Sequence, residues 1–111
     1  MKNLFGVVPG AVYGWPKNVL HWRGVENSIL DVATAVRPGL AIIDGIVGMQ
    51  GDGPINGVPA NAGVIVIATD PVAADVSAAT LMGIDPGRVP YLREAGKFLG
   101  EVQAKLKDQA T

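Results

Sequence analysis

The side chains able to do chemistry are few, and cysteine is missing altogether. Without thiols the chain has no disulfide, no thiolate metal site, no cysteine nucleophile and no Cys-ligated iron–sulfur cluster of its own. His21 is the single histidine, and its unperturbed pKa suits proton transfer near neutrality. One imidazole makes no metal cluster by itself, and a place beside Trp22 fits an exposed or stacking ring equally well. Lys2, His21 and Asp75 form the candidate catalytic set. Asn3 and Lys17 are candidate ligand contacts. Lys17 and His21 stand four apart and would share one face of a helical turn. Ser28 and Ser77 lie in no nucleophile motif.

The carboxylates divide by setting. Asp44 ends an apolar run, where carboxylates of α/β domains meet ligands or bond to their own turn. Asp70, before Pro71, suits a helix N-cap. Asp75 falls on an otherwise apolar helix and cannot be buried bare. It requires a metal, several donors or a cation, for which Lys2, Lys17, Arg23, Arg37 and Arg88 are available. The segment Gly48-Met49-Gln50-Gly51-Asp52-Gly53-Pro54 could align backbone amides around an anion, or its glycines could simply serve turns. It is neither a dinucleotide fingerprint nor a P-loop, because the glycine spacing differs and no Gly-Lys-Ser/Thr follows. Gly48, Gly51, Asp52 and Gly53 are thus candidate ligand contacts with Asp44 and Asp70. The metal, if one binds, is left open.

These residues must be positioned by a small number of elements. Trp15-Pro16 predicts a short helical turn reaching about Trp22. Ile29, Leu30, Ala33 and Val36 predict a helix capped by Glu26 or Asn27 and ended by Arg37-Pro38-Gly39. Leu40–Ile43 and Gly63–Ala68 predict buried strands, the second covered on both faces because it is apolar throughout. Between them, residues 45–62 predict a long irregular loop. Asp70-Pro71 starts a helix to about Met82 that is apolar nearly all round and buried on most sides. Another helix begins at Asp85-Pro86 or Pro90, and residues 101–109 predict a solvated terminal helix. The expected core is Ile42, Ile43, Val64, Val66, Val72, Val76 and Ala79. The expected fold is one α/β domain over residues 1–111, a small sheet of buried strands covered by helices, with strand order open.

Bulk properties narrow the partners. The net charge of −1 offers no basic footprint for nucleic acid. No apolar run spans a bilayer and the N-terminus lacks a signal-peptide pattern, so the expectation is a cytoplasmic protein with no membrane partner. Charged residues are only 17% of the chain against 49% hydrophobic. So sparse a charged surface on a small domain points to a covered face, in a homo-oligomer or against a missing N-terminal half.

The strings Lys2-Asn3-Leu4-Phe5-Gly6, Ile29-Leu30-Asp31, Ile43-Asp44-Gly45-Ile46-Val47-Gly48-Met49, Gly51-Asp52-Gly53-Pro54, Asp70-Pro71-Val72-Ala73-Ala74-Asp75 and Leu81-Met82-Gly83-Ile84-Asp85-Pro86 occur in one order. That order resembles the domain of unknown function 362 family, specifically the C-terminal half of its domain, over residues 2–100. Gln50 stands where family members commonly carry an acid, and Asp52 where they carry Asn. The resemblance implies association with iron–sulfur proteins elsewhere in the family, and it transfers no settled activity. The leading expectation is therefore a domain that binds a small anionic ligand or metal ion where Asp44, the glycine segment and the start of the Asp70 helix converge. The other is a non-catalytic homo-oligomeric assembly module, or a fragment of a split redox-associated protein.

Overall fold

The computed structural model describes residues 1–13, 18–97 and 99. A 3₁₀ turn, Lys2–Val7, leads to helices α1 (Gly10–Tyr13), α2 (Asn18–Trp22) and α3 (Val25–Val36). Strands β1 (Ala41–Gly45), β2 (Gly48–Asp52), β3 (Asn56–Ala60) and β4 (Val64–Ala68) follow. Helix α4 (Pro71–Leu81), a 3₁₀ turn at Pro86–Arg88 and α5 (Pro90–Ala95) complete the order. The fold is α/β, with helices packed against a small antiparallel sheet. Lys17, Trp15-Pro16 and the tail expected to be helical lie outside the described residues.

Helix α3 begins earlier than its polar residues suggest. Gly24, at φ 91°, is the N-cap, and its carbonyl accepts from the Ser28 N–H at 3.1 Å. Glu26 and Asn27 are therefore inside the first turn and are not the cap, because glycine supplies the positive φ that starts the helix sooner. Buried Ser28 donates its hydroxyl to the Leu20 carbonyl at 2.7 Å, tying α3 to α2. Arg37 ends α3 in the left-handed region, at φ 45°, with its N–H on the Ala33 carbonyl. Pro38 then cannot continue the helix.

The four strands are halves of one kinked ribbon. β1 pairs with β4 from Ala41 opposite Ala68 to Gly45 opposite Val64. β2 pairs with β3 from Gly48 opposite Ala60 to Asp52 opposite Asn56. Two residues, Ile46 and Val47, join the halves on one side, and Asn61, Ala62 and Gly63 join them on the other. The extra residue is a bulge, which redirects a ribbon. Gly63, at φ +66°, donates its N–H to the Ile46 carbonyl across the bend at 3.1 Å. The expected irregular loop is thus the distal half of the ribbon. Gly-rich, Pro-containing sequence masked its pairing, since neither residue favours a strand.

Among the described residues, only one face of the proximal half is covered. Val64, Val66 and Ala68, with Ala41 and Ile43, lie half-buried under α4, whereas Ile65 and Ile67 point outward at 57% and 66% exposure. Two expectations are corrected here. β4 is apolar on both faces but covered on one, and Ile42, 64% exposed, is not core. Register is the reason: Ile42 sits directly opposite Ile67, so both leave the sheet on the side away from α4. The core proper is Val72, Val76 and Ala79 of α4 with Leu92 and Ala95 of α5, flanked by Leu30, Val89 and Tyr91. Helix α4 is largely buried as its composition demands. Its hydroxyls close on its own backbone, Ser77 to the Ala73 carbonyl and Thr80 to the Val76 carbonyl, so they add no unsatisfied donor to the core.

Candidate functional site

The three places where polar chemistry was expected to converge lie apart. Because β1 and β4 are antiparallel, Asp44 is level with Ile65 at the bend end of the proximal ribbon, whereas Asp70 follows the opposite end of β4. Two ends of a five-residue strand differ by roughly 15 Å. The glycine segment continues away from both, in β2 and the turn beyond it. The expected crevice needs parallel strands whose C-terminal ends gather on one edge. An antiparallel pair places them at opposite edges, and the convergence of Asp44, Gly48–Gly53 and Asp70 is corrected accordingly. Among the described residues no three His, Cys, Asp or Glu side chains are grouped to hold a metal ion.

Of the four candidate carboxylates, Asp44, Asp70 and Asp75 have local work. Asp44 accepts the Ile46 N–H at 3.0 Å and shapes the bend. Asp70 is the α4 N-cap, accepting the Ala73 N–H at 2.7 Å. Asp52 is exposed at the end of β2, opposite Asn56. Asp75 is 14% exposed and receives three hydrogen bonds. The buried Met1 ammonium donates to both oxygens at 2.9 and 2.7 Å, and the Tyr91 hydroxyl donates to one at 2.9 Å. None of Lys2, Arg23, Arg37 or Arg88 fills the role of partner. The short reach from Met1 and α5 places donors there first. Burial, then the Asp75 charge and the hydrogen bond to it, holds the Tyr91 phenol well above its ordinary pKa. Sequence reasoning missed Tyr91 because its contact spans 16 residues and follows no helical period.

Lys2 and Asn3 lie exposed on the first 3₁₀ turn, and His21 is exposed on α2. The glycines serve the ribbon. Gly51 is at φ +80°, directly opposite Gly57. A Cβ at Gly57 would collide with the Met49 side chain that lies across it, and one at Gly53 would stand 3.0 Å from the Met49 Sδ. Amides in such a ladder run alternately to either side and do not close on one anion.

Beyond these, a shallow pocket of about 210 Å³ lies between the end of α3 and the start of α4, lined by Ala33, Arg37, Pro38, Thr69, Asp70, Pro71 and Leu99. No helix among the described residues is long and apolar enough to cross a membrane.

A thylakoid-associated protein of Synechocystis sp. is 31% identical over 98 residues, covering 83% of this chain and 29% of that protein. The chain therefore spans less than a third of that relative's length. No solved structure matches it. The model of the family described as Domain of unknown function (DUF362) matches residues 1–80, which hold the whole ribbon and all of α4 but Leu81. On that match the chain belongs to the DUF362 family.

Proposed function

We propose that this chain is an assembly module of the family, whose outward ribbon face is covered by a second copy. The carrying observation is the row Ile42, Ile65 and Ile67, each more than half exposed on one face of β1–β4 and continued by exposed Leu40. Monomers seldom leave a contiguous apolar patch beyond about 300–600 Å² uncovered. Such a row also costs stability and solubility unless it is buried. A net charge of −1 gives two copies little mutual repulsion. Multi-angle light scattering over a range of concentrations tests this. The expected mass is at least twice 11.5 kDa. A monomer at every concentration would remove the reading and leave the face to a different polypeptide.

One observation favours a second reading, a small-anion site. The Arg37 side chain lines the pocket beside the start of α4, where helix amides and a guanidinium both suit an anion. Asp70 is engaged as the cap. Phosphate titration followed by amide shifts tests this reading. Shifts at Thr69–Ala73 that vanish in Arg37→Ala support it, and an unresponsive spectrum ends it.

A further inference from the structure

Sulfur enters this chain only as methionine, at Met1, Met49 and Met82. The three are placed differently. Met1 is half-buried and packs against the core of α4 and α5. Met82 closes α4 and is 67% exposed. Met49, on β2, is 60% exposed and yet has a seat. Its side chain lies across Gly57 of the opposite strand and brings Sδ over Gly53, so that a Cβ on either glycine would press against it. Register gives the reason. The pairs Met49–Pro59 and Gly51–Gly57 fall on one face of the ribbon. Two of those four positions carry no side chain, and the unbranched thioether folds over the bare backbone.

The distal ribbon has little else to hold it. Among the described residues, β2 and β3 pack chiefly on each other, and every residue of β2 is exposed. A two-stranded hairpin standing alone is marginally stable in water, and glycine weakens a strand further. Met49 and Pro59 supply the apolar cover of this glycine face. The thioether is also oxidisable. It accepts an oxygen atom from a hydroperoxide: the O–O bond breaks, an S–O bond forms, the sulfur is oxidised and the peroxide leaves as water or an alcohol. The product is a polar, chiral sulfoxide. Held against glycine backbone, that group would give up hydration which the paired amides of the ladder do not replace. We propose that Met49 is a modification site for hydroperoxides, whose sulfoxide leaves the glycine seat and loosens β2–β3 while β1–β4, braced by α4, stays closed. Methionine sulfoxide is enzymatically reducible, so the change is reversible.

Peroxide treatment of the full chain tests this, read by peptide mass and by amide exchange before and after. Met49 and Met82 are expected to gain oxygen ahead of Met1. Exchange in β2–β3 should then rise about fivefold, the factor that 1 kcal/mol of opening free energy gives, with β1–β4 unchanged. Methionine sulfoxide reductases of both stereospecificities should reverse the rise. Met82→Leu should respond as the parent does, and Met49→Leu, which keeps the apolar bulk, should not respond. Gly57→Ala needs no oxidant. Its methyl group occupies the seat, so exchange in β2–β3 should rise, although alanine by itself suits a strand better than glycine. Melting curves check that each variant remains folded. The inference falls if Met49 stays unoxidised while Met82 reacts, or if the ribbon exchanges no faster once Met49 is oxidised. An untreated ribbon that already exchanges like an unfolded peptide would also sink it, since no contact would then be left to lose. The same rise in oxidised Met49→Leu would put the cause at another residue and overturn it equally.

Discussion

Asp75 shows how a carboxylate on an apolar helix is made tolerable. Its two oxygens collect an ammonium and a phenol, and the three hydrogen bonds join α4 to the start of the chain and to α5. Tyr91→Phe removes one charge-assisted hydrogen bond and should cost about 1.5–3 kcal/mol in urea unfolding. It should also change the alkaline limb. The folded phenol has a raised pKa, so its contribution is full below the unfolded value near 10 and is lost as pH rises toward the folded value. The parent should therefore lose stability above about pH 10 more steeply than Tyr91→Phe. Equal alkaline slopes would show that the phenol is no more protonated in the fold than in the unfolded chain. At Asp70 the expectation is smaller, about 1 kcal/mol for Asp70→Ala, because one N-cap bond is lost. Thermal melts suffice to compare the two.

At the scale of elements, α3 ends at a point of strain and α4 at none. Arg37 is the non-glycine residue held at positive φ among those described, whereas Gly83 takes φ +73° after α4. Arg37→Gly should relieve about 1 kcal/mol at the α3 terminus. A variant less stable than the parent would mean that the Arg37 side chain contributes more than its backbone costs. On α4, Val76→Asp adds an unpaired charge to the face packed on Leu92 and Ala95. A loss of about 3 kcal/mol or more is expected from denaturant unfolding. A parent-like midpoint would mean that this face is not buried.

For the whole molecule the uneven covering of the ribbon sets the behaviour. The proximal half is braced by α4 and the distal half by its own ladder, so the two should open with different free energies. Amide exchange is expected to be faster in β2–β3 than in β1–β4 at low concentration. Equal exchange in the two halves would show that α4 adds no protection to β1–β4. The apolar outward row also makes the isolated chain prone to precipitate at neutral pH, since little charge opposes contact.

Much of this was legible in the residues. Asp70-Pro71 specifies a cap and first turn by local geometry alone, and the α4 start lies where those two residues put it. Val64–Ala68 specifies a strand by β-branching, and the ordered strings from Lys2 to Pro86 specify the family. All of these depend on neighbours within a turn or a strand. What tertiary structure decided depends on pairing. Ile42 and Ile43 are chemically alike, yet antiparallel register against β4 sends one outward and the other under α4. The same register separates Asp44 from Asp70, which spacing in the chain had suggested would meet. Gly57 is a turn glycine by composition and a strand glycine by contact, because Met49 lies across it from the opposite strand. Side-chain period is written into a strand, but which face is covered, and by what, is settled by elements far away in the chain.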